Sequence, residues 1–209
     1  MKKKIVKPII KYIEEAILSQ DIKDENYTNR KYSGLNEKVV IKDTLIDSCV
    51  FENVDFSLIK LEHVSFLDCK FNKCGFSFND FSKTNLTRVE FNDCVMSNVS
   101  MYKSSLTNVS FNNCSCKFTN FQETNINGIL INSSYMYSSY FNNAKFSNTY
   151  FIKCDFKESE FINAPLIDAD LSTCKLDNIK IDLQTIKGCS INTQQSIAFL
   201  RLLGINVIE

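Results

Sequence analysis

The chain has 209 residues, and its 24 basic and 24 acidic side chains give a formal net charge of zero. This balance gives no sign of direct nucleic-acid binding, and no apolar run is long enough to cross a bilayer, so we expect no membrane span. The low content of glycine (5) and proline (2) argues against a disordered or fibrous chain.

Residues 1–20 are predicted to form an amphipathic helix. Their apolar side chains recur at spacings of three and four residues, as on one face of a helix: Ile9, Ile10, Ile13, Ile17 and Leu18. Pro8 suits a first helical turn. No apolar core or cleavage site follows Lys2–Lys4, so a secretory signal is not expected. Residues 21–38 are polar and aperiodic, and we expect a connecting loop there.

From residue 39 to residue 192 the chain repeats every five residues. Every fifth position from Ile41 to Ile191 is apolar, which makes 31 positions without interruption, and 14 of the 17 phenylalanines lie on them. This period fits neither a helix nor a strand. A backbone that turns a corner every five residues would point these side chains at one axis, with four corners in each 20-residue coil. We therefore predict an all-β, right-handed quadrilateral β-helix of just under eight coils.

The nine cysteines follow the same repeat. Eight lie two residues before an apolar central position, where a narrow coil needs a small side chain: Cys49, Cys69, Cys74, Cys94, Cys114, Cys154, Cys174 and Cys189. Cys116 occupies a central position. We predict free, buried thiols that act as small hydrophobes rather than metal ligands, as expected in a reducing cytoplasm. A cysteine ladder along one wall could still form one incidental disulfide under oxidising conditions.

Several repeats resemble the pattern of the pentapeptide-repeat family: a small residue, Asp or Asn, Leu or Phe, Ser or Thr, then any residue. The clearest matches are Thr84–Arg88, Cys154–Glu158 and Ala169–Thr173. The resemblance covers about three quarters of the chain and implies the β-helical fold. It implies less about function, because one fold serves many activities.

The C-terminal residues 193–209 are predicted to close the solenoid. Thr193 is expected to be the N-cap of a helix over Gln194–Leu203, and Gly204 is expected to end it. Ile197, Leu200 and Leu203 would share one helical face, and Ile205–Ile208 would be extended. This ending resembles the tail of Qnr-type pentapeptide proteins, which implies a homodimer. The interface would contain these residues: Leu200, Leu203, Ile205, Val207 and Ile208.

One outer wall is predicted to carry an apolar column, because Leu58, Phe78 and Phe118 are separated by one and two full coil lengths. We expect the N-terminal helix to lie along this column, with Ile9, Ile13 and Ile17 covering it. The alternative is that the helix caps the first coil at Val39–Phe56.

Tyrosines form a second candidate surface at outward positions of the middle and later coils: Tyr102, Tyr135, Tyr137, Tyr140 and Tyr150. Tyrosine is enriched in recognition surfaces, but it also favours β-structure for its own sake. Both interpretations remain open.

No catalytic constellation is evident, and we predict neither enzymatic activity nor a cofactor. The single histidine, His63, lies at an outward position without a nucleophile in the repeat frame. The Qnr resemblance implies a rod that occupies the DNA site of DNA gyrase or topoisomerase IV and protects the enzyme from quinolones or related toxins. The alternative is a scaffold for an unrelated protein.

The charge and the repeat frame bear on this choice. Residues 39–192 carry 17 acidic and 14 basic side chains, a weak imitation of DNA. The uninterrupted frame resembles those Qnr-type proteins that lack loops within the coils.

Overall fold

The computed structural model describes residues 4–18, 27–34, 38–202 and 204–208. The strands are, in chain order, β1 (Glu14–Ala16), β2 (Arg30–Ser33), β3 (Val39–Lys42), β4 (Leu45–Asp47), β5 (Val50–Glu52), β6 (Ile59–Glu62), β7 (Ser65–Asn72), β8 (Asn85–Asn92), β9 (Ser105–Asn112), β10 (Asn125–Asn132), β11 (Lys145–Ile152), β12 (Glu160–Phe161) and β13 (Lys180–Ile181). Two 3-10 turns, Phe56–Leu58 and Leu183–Ile186, and a helix α1 (Thr193–Leu202) complete the described elements.

These strands stack as a parallel β-solenoid, and the fold predicted from the five-residue period is confirmed. In the regular part of the rod each residue pairs with its equivalent one coil later, as Leu86 does with Leu106 and Ile126 with Phe146. In the five coils that contain β7–β11, the first two walls form eight-residue strands such as β8. The other two walls are joined by single bridges, for example Val95 with Ser115. A coil therefore has four walls, and the apolar positions meet inside it.

Stacked phenylalanine rings fill the axis of the rod. Phe51, Phe71, Phe91 and Phe111 lie in consecutive coils with ring centroids 4.9–5.1 Å apart and nearly parallel planes. Rings from the adjoining wall, such as Phe76, meet this stack edge-on. Both arrangements are favourable aromatic geometries and add to the gain from burial. All of these rings are fully buried.

Most corners are made by one residue in the left-handed backbone region, with φ close to +55°; Leu58 lies instead in a 3-10 turn. These residues recur every five positions, and many are Asn or Asp, which tolerate this conformation. Phe78 (φ 65°) and Phe118 (φ 57°) are the aromatic exceptions among the described corners. A bulky side chain in this conformation is strained, and neither ring is buried in return.

The small inward position donates hydrogen bonds as well as saving space. The Sγ of Cys94 donates to the Phe71 carbonyl at 3.4 Å, and that of Cys114 donates to Phe91. Ser134 takes the next place in this column and donates to Phe111 at 3.3 Å. Burial thus explains why the side chain at this position is small. The hydrogen bond to a carbonyl of the preceding coil explains why Cys, Ser and Thr all occur there.

The cysteines predicted to be buried are buried, except that Cys189 is only partly buried. Contact with the Cys114 thiol and burial raise the pKa of Cys94 to about 12, and burial raises the pKa of Cys69 well above its usual value. These thiols therefore stay protonated at neutral pH, the form that suits a small hydrophobic side chain.

The predicted loop over residues 21–38 is wrong where the structure describes it. Tyr27–Ser33 adds a further partial coil below residue 39, and Tyr32 is buried and stacks on Phe51 at 5.0 Å. The spacing here is one residue shorter than a full coil, because Tyr32 pairs with Phe51. This shift takes Tyr32 out of the five-residue frame. Residues 21–26 and 35–37 of the predicted loop lie outside the described part.

The predicted N-terminal helix is also wrong over residues 4–17. Residues 4–13 form an irregular, extended segment, which we call the N-terminal arm, and Glu14–Ala16 is strand β1. Strand β1 pairs with β2, and an ion pair between Glu14 and Arg30 joins them. Among the described residues, strands β1 and β2 therefore lie over the first coil, and Leu18, which is helical and buried, follows them. Residues 1–3 and 19–20 of the predicted helix lie outside the described part.

Helix α1 closes the other end of the rod, as predicted, but with a different cap. Asn192, not Thr193, is the N-cap: its Oδ1 accepts from the Gln195 amide at 2.9 Å, and Gln195 Oε1 accepts from the Asn192 amide at 2.7 Å. This is a capping box. The Gln195 side chain also donates to the carbonyls of Leu171 and Cys174 and thereby fixes the helix on the last coil. Gly204 (φ 74°) follows the helix as expected.

Candidate interaction surfaces

At the corner that carries Leu58, Phe78 and Phe118, both phenylalanine side chains are exposed and Leu58 is half-buried. The Phe78 side chain is 78% exposed and Phe118 is 44% exposed. The N-terminal arm lies elsewhere, so the prediction that it covers this column is wrong. We call Leu58, Phe78, Phe118 and Tyr137 the aromatic corner, since the Phe118 and Tyr137 rings meet edge-on at 5.8 Å.

A groove of about 1010 Å³ opens beside the aromatic corner at the N-terminal end of the rod. Leu58 and Phe78 line one side, and Val40, Lys60 and Leu61 lie on the neighbouring wall. Val40 is 49% exposed, so the apolar surface continues from the corner onto that wall. His63, at the same groove, is exposed and lies 3.0 Å from Asp43 through Nδ1. The groove offers apolar contact area with a few charges at its edge.

The predicted tyrosine cluster is divided between different walls. Tyr137 and Tyr140 lie on either side of one corner residue, Ser138, and Tyr135 lies on the same wall as Tyr137. Tyr102 lies on the next wall, where its hydroxyl donates to Glu123 at 2.9 Å and Lys103 sits over its ring. The Tyr137 hydroxyl donates to Glu158 at 2.5 Å. These four tyrosines can contribute to one broad surface around the aromatic corner.

Tyr150 belongs to a different surface. It lies on the wall of strands β7–β11, where it lines a cavity with residues Lys4–Lys7 of the arm. Sequence reasoning grouped it with the other tyrosines because they are close along the chain. The 20-residue coil instead places Tyr150 beside Leu130.

The N-terminal arm lies across the coils at the corner diagonally opposite the aromatic corner. The Ile9 amide donates to Asp68 Oδ1 at 2.7 Å, and the Val6 amide donates to Asn108 Oδ1 at 3.2 Å. Asp68 and Asn108 occupy the same corner two coils apart, a separation of about 9.6 Å. Three extended residues span about 10 Å, so an extended chain reaches both acceptors.

Two further features hold the arm at this corner. A Cβ atom added at Gly128 would lie 3.4 Å from Ile5 Cδ1 and 3.0 Å from Asn108 Oδ1, so glycine allows the arm to approach closely. Asp68 is held by Arg88 through two hydrogen bonds of 2.6–2.7 Å, and its side chain is only 8% exposed. Burial opposes ionisation of Asp68, but hydrogen bonds from Arg88 and from the Ile9 amide outweigh it and lower the pKa of this carboxyl.

We expect Asp68→Asn to release the arm and to destabilise the protein by about 1–2 kcal/mol, because charge-assisted hydrogen bonds to Arg88 and Ile9 are lost. Tryptic cleavage after Lys11, which is followed by Tyr12, should become faster at pH 7. The matched control is Asp93→Asn, since Asp93 has the same backbone conformation (φ 55°) and accepts a longer bond of 3.3 Å from Asn113. Equal cleavage rates in the two variants would contradict this role of Asp68.

The same contact makes the arm sensitive to acid. The folded state lowers the pKa of Asp68, so the ionised carboxyl stabilises the fold at pH values above its unfolded pKa of about 3.9. This stabilisation is lost as the pH falls through the lower pKa of the folded state. Protection of the arm in the wild type should therefore decline below about pH 4. In Asp68→Asn this decline in protection at low pH should be absent.

The C-terminal end exposes apolar side chains of the predicted dimer interface. Ile205 is 47% exposed and Ile208 is 91% exposed, and Val207 and Leu200 are partly exposed. Ile197, on helix α1, is 40% exposed, whereas Phe199 is the helix residue buried against the last coil. Leu203 lies outside the described part. Sequence reasoning missed Phe199 as the packing residue because it favoured the spacing of Ile197, Leu200 and Leu203.

Within the described ranges, no group of three or more His, Cys, Asp or Glu side chains could hold a metal ion. No helix in the same ranges is long and apolar enough to cross a membrane.

Comparison with known proteins agrees with the solenoid. A family model of a pentapeptide repeat region matches residues 39–121 and 64–137, and a model of eight pentapeptide repeats matches residues 139–178. Together they cover more than half of the chain. No curated protein matches it.

Similar solved structures include full-length QnrB1, a plasmid-mediated fluoroquinolone resistance protein, with 17% identity and a TM-score of 0.47, covering 83% of this chain and 100% of that one. HetL from the cyanobacterium Nostoc sp. PCC 7120, involved in regulating heterocyst differentiation, has 12% identity and a TM-score of 0.30, covering 79% and 88%.

Proposed function

Because this chain belongs to the pentapeptide-repeat family, we propose that it is a non-enzymatic rod that binds a bacterial type II topoisomerase, DNA gyrase or topoisomerase IV, and protects it from quinolones or related toxins. The observation that carries a protein-binding role is the aromatic corner. Phe78 and Phe118 are exposed, and each occupies a left-handed backbone position where Asn would be less strained. At Phe78 burial does not offset this strain, because the side chain is 78% exposed.

The identity of the partner rests on the C-terminal ending, Gln194–Ile208, which resembles that of Qnr-type proteins. A rod of this kind can occupy an elongated site built for duplex DNA. The excess of three acidic side chains over residues 39–192 is small. Exposed Lys4, Lys7 and Lys11 of the arm add positive charge to the opposite corner. We therefore assign the contact to the aromatic corner and its groove, with apolar and polar contacts contributing more than charge.

Two copies of the rod would pair through their C-terminal ends. The exposed Ile197, Ile205 and Ile208 leave an apolar patch beyond the last coil, and a twofold contact between identical patches is the common way to bury one. The pair would be a rod of roughly twice the length, with the two aromatic corners far apart. Light scattering tests this arrangement, and a monomeric mass at working concentration would contradict it.

The topoisomerase proposal is tested with a gyrase supercoiling assay in ciprofloxacin, with and without the purified protein. We expect the wild type to restore supercoiling, and the double variant Phe78→Asn/Phe118→Asn to lose most of this protection while folding normally. The control is Ile152→Asn/Ile167→Asn, because these residues are 41% and 63% exposed on other walls. Failure of the wild type both to protect gyrase and to bind it at low salt would exclude this partner.

The second candidate function is a scaffold for an unrelated protein, which the same groove and aromatic corner would also serve. It predicts no effect on gyrase or topoisomerase IV, so the supercoiling assay separates the two.

A further inference from the structure

A small cavity lies between the N-terminal arm and the wall formed by the second half of the long strands. Its volume is about 350 Å³, at the lower end of the range of roughly 300–1,000 Å³ typical of small-molecule sites. The arm contributes Lys4, Ile5, Val6 and Lys7, and the wall contributes Glu90, Ser110, Asn112, Leu130 and Tyr150. It lies on the opposite side of the rod from the aromatic corner.

The cavity is elongated along the rod. Glu90, Ser110, Leu130 and Tyr150 are paired neighbours in four consecutive coils, so they form a floor about 14 Å long. Ile5 and Val6 form the side contributed by the arm. Ser110 is small and buried, which leaves room between Glu90 and Leu130. Glu90 therefore makes one end of the cavity acidic, whereas Leu130, Ile5 and Val6 make its middle apolar.

The charges around the cavity are unequal. The Glu90 side chain is 13% exposed, and its carboxylate lies 3.7 Å from Lys70 Nζ, which offsets its charge. Lys4 and Lys7 form no ion pair with a carboxylate in the described part of the chain. The Val6 amide is hydrogen-bonded to Asn108 and the Ile9 amide to Asp68. The arm therefore places Lys4 toward the Tyr150 end of the cavity and Lys7 toward the Glu90 end. The Tyr150 end thus has a cation without a nearby acid among the described residues.

We propose that this cavity binds a small amphiphilic anion. Its acidic head group lies at Lys4, away from the Glu90 carboxylate, and its hydrocarbon chain lies in the middle of the cavity, where Leu130, Ile5 and Val6 supply aliphatic side chains. Such a ligand contacts both the arm and the wall, so binding stabilises the attached arm by mass action. This proposal depends on the position of the arm and not on binding to a topoisomerase. Either proposal can therefore fail while the other holds.

The probe is decanoate, compared with decanol and decylamine, which share its chain and differ in the charge of the head group. Calorimetry on the full chain, below the micellar range, should show saturable binding of one decanoate. Decanol and decylamine should bind about tenfold more weakly, because a charged pair at a partly exposed site contributes on the order of 1 kcal/mol. Decanoate should also slow tryptic cleavage of the arm after Lys11, which is followed by Tyr12. Equal or tighter binding of decylamine, or no saturable binding of decanoate, would overturn the proposal.

Two variants, with Lys11→Gln as a control, locate the site. Lys4→Gln should weaken decanoate binding about tenfold, whereas Lys11→Gln, on the arm but outside the cavity, should leave it unchanged. Leu130→Asp should abolish binding by placing a negative charge on the apolar floor, and unchanged circular dichroism would show that the rod is intact. Wild-type affinity in Lys4→Gln would place the head group elsewhere and refute the assignment.

Discussion

Phe91→Ala is expected to destabilise the protein by about 3–5 kcal/mol, as large-to-small substitutions of buried aromatic residues do. Phe91 is fully buried and lies between Phe71 and Phe111 at 5.0 and 5.1 Å, with Phe76 edge-on at 5.6 Å. Its loss leaves a cavity on the axis that the neighbouring coils cannot close, because their spacing is fixed by backbone hydrogen bonds. Chemical denaturation followed by circular dichroism measures the change.

Two controls separate the cavity from the loss of an aromatic ring as such. Phe91→Leu keeps most of the volume and should cost about 1–2 kcal/mol. Phe78→Ala removes the same ring from an exposed corner and should change stability by less than about 0.5 kcal/mol. In a solenoid each coil contacts its neighbours, so amide exchange in β7, β8 and β9 should accelerate most in Phe91→Ala. Similar losses from Phe91→Ala and Phe78→Ala would contradict a core centred on this stack.

Deleting one whole coil, Lys153–Ser172, is expected to leave a folded and shorter rod. The deletion matches the coil length, so every later residue keeps its inward or outward position. Phe151 takes the place of Leu171 beneath helix α1, and its carbonyl remains available to the Gln195 side chain. The rod loses one coil of burial but no type of contact. Circular dichroism, gel filtration and a cooperative thermal transition would confirm the expected fold.

A deletion two residues shorter than a coil, Lys153–Asp170, is the matched control and should prevent folding of the C-terminal part. Each later residue then moves by two positions relative to the coil. Asp177, Asp182 and Lys187 would take the inward places of Ser159, Ala164 and Ala169, which are buried. Burying three unpaired charges costs several kcal/mol each. Equal stability of this variant and the whole-coil deletion would refute the view that the repeat frame controls this fold.

The aromatic corner shows which part of a surface can be predicted from sequence. The column of Leu58, Phe78 and Phe118 follows from the 20-residue coil, and the structure places these residues at one corner. Its exposure could not be predicted, because that depends on where the N-terminal arm lies. The strain at Phe78 and Phe118 also needed the structure, since the five-residue period does not reveal which position has positive φ.

The sequence by itself determined the solenoid, the four walls and the burial of the cysteines, because the period of five leaves one direction for each side chain. The tertiary structure decided the course of the N-terminal arm. The spacing of Ile9, Ile13 and Ile17 favoured a helix, but a helix rises about 1.5 Å per residue and would advance about 4.5 Å between Val6 and Ile9. Their two acceptors, Asn108 and Asp68, lie about 9.6 Å apart, a distance that an extended chain spans. Contacts with residues far along the chain therefore outweighed the local pattern.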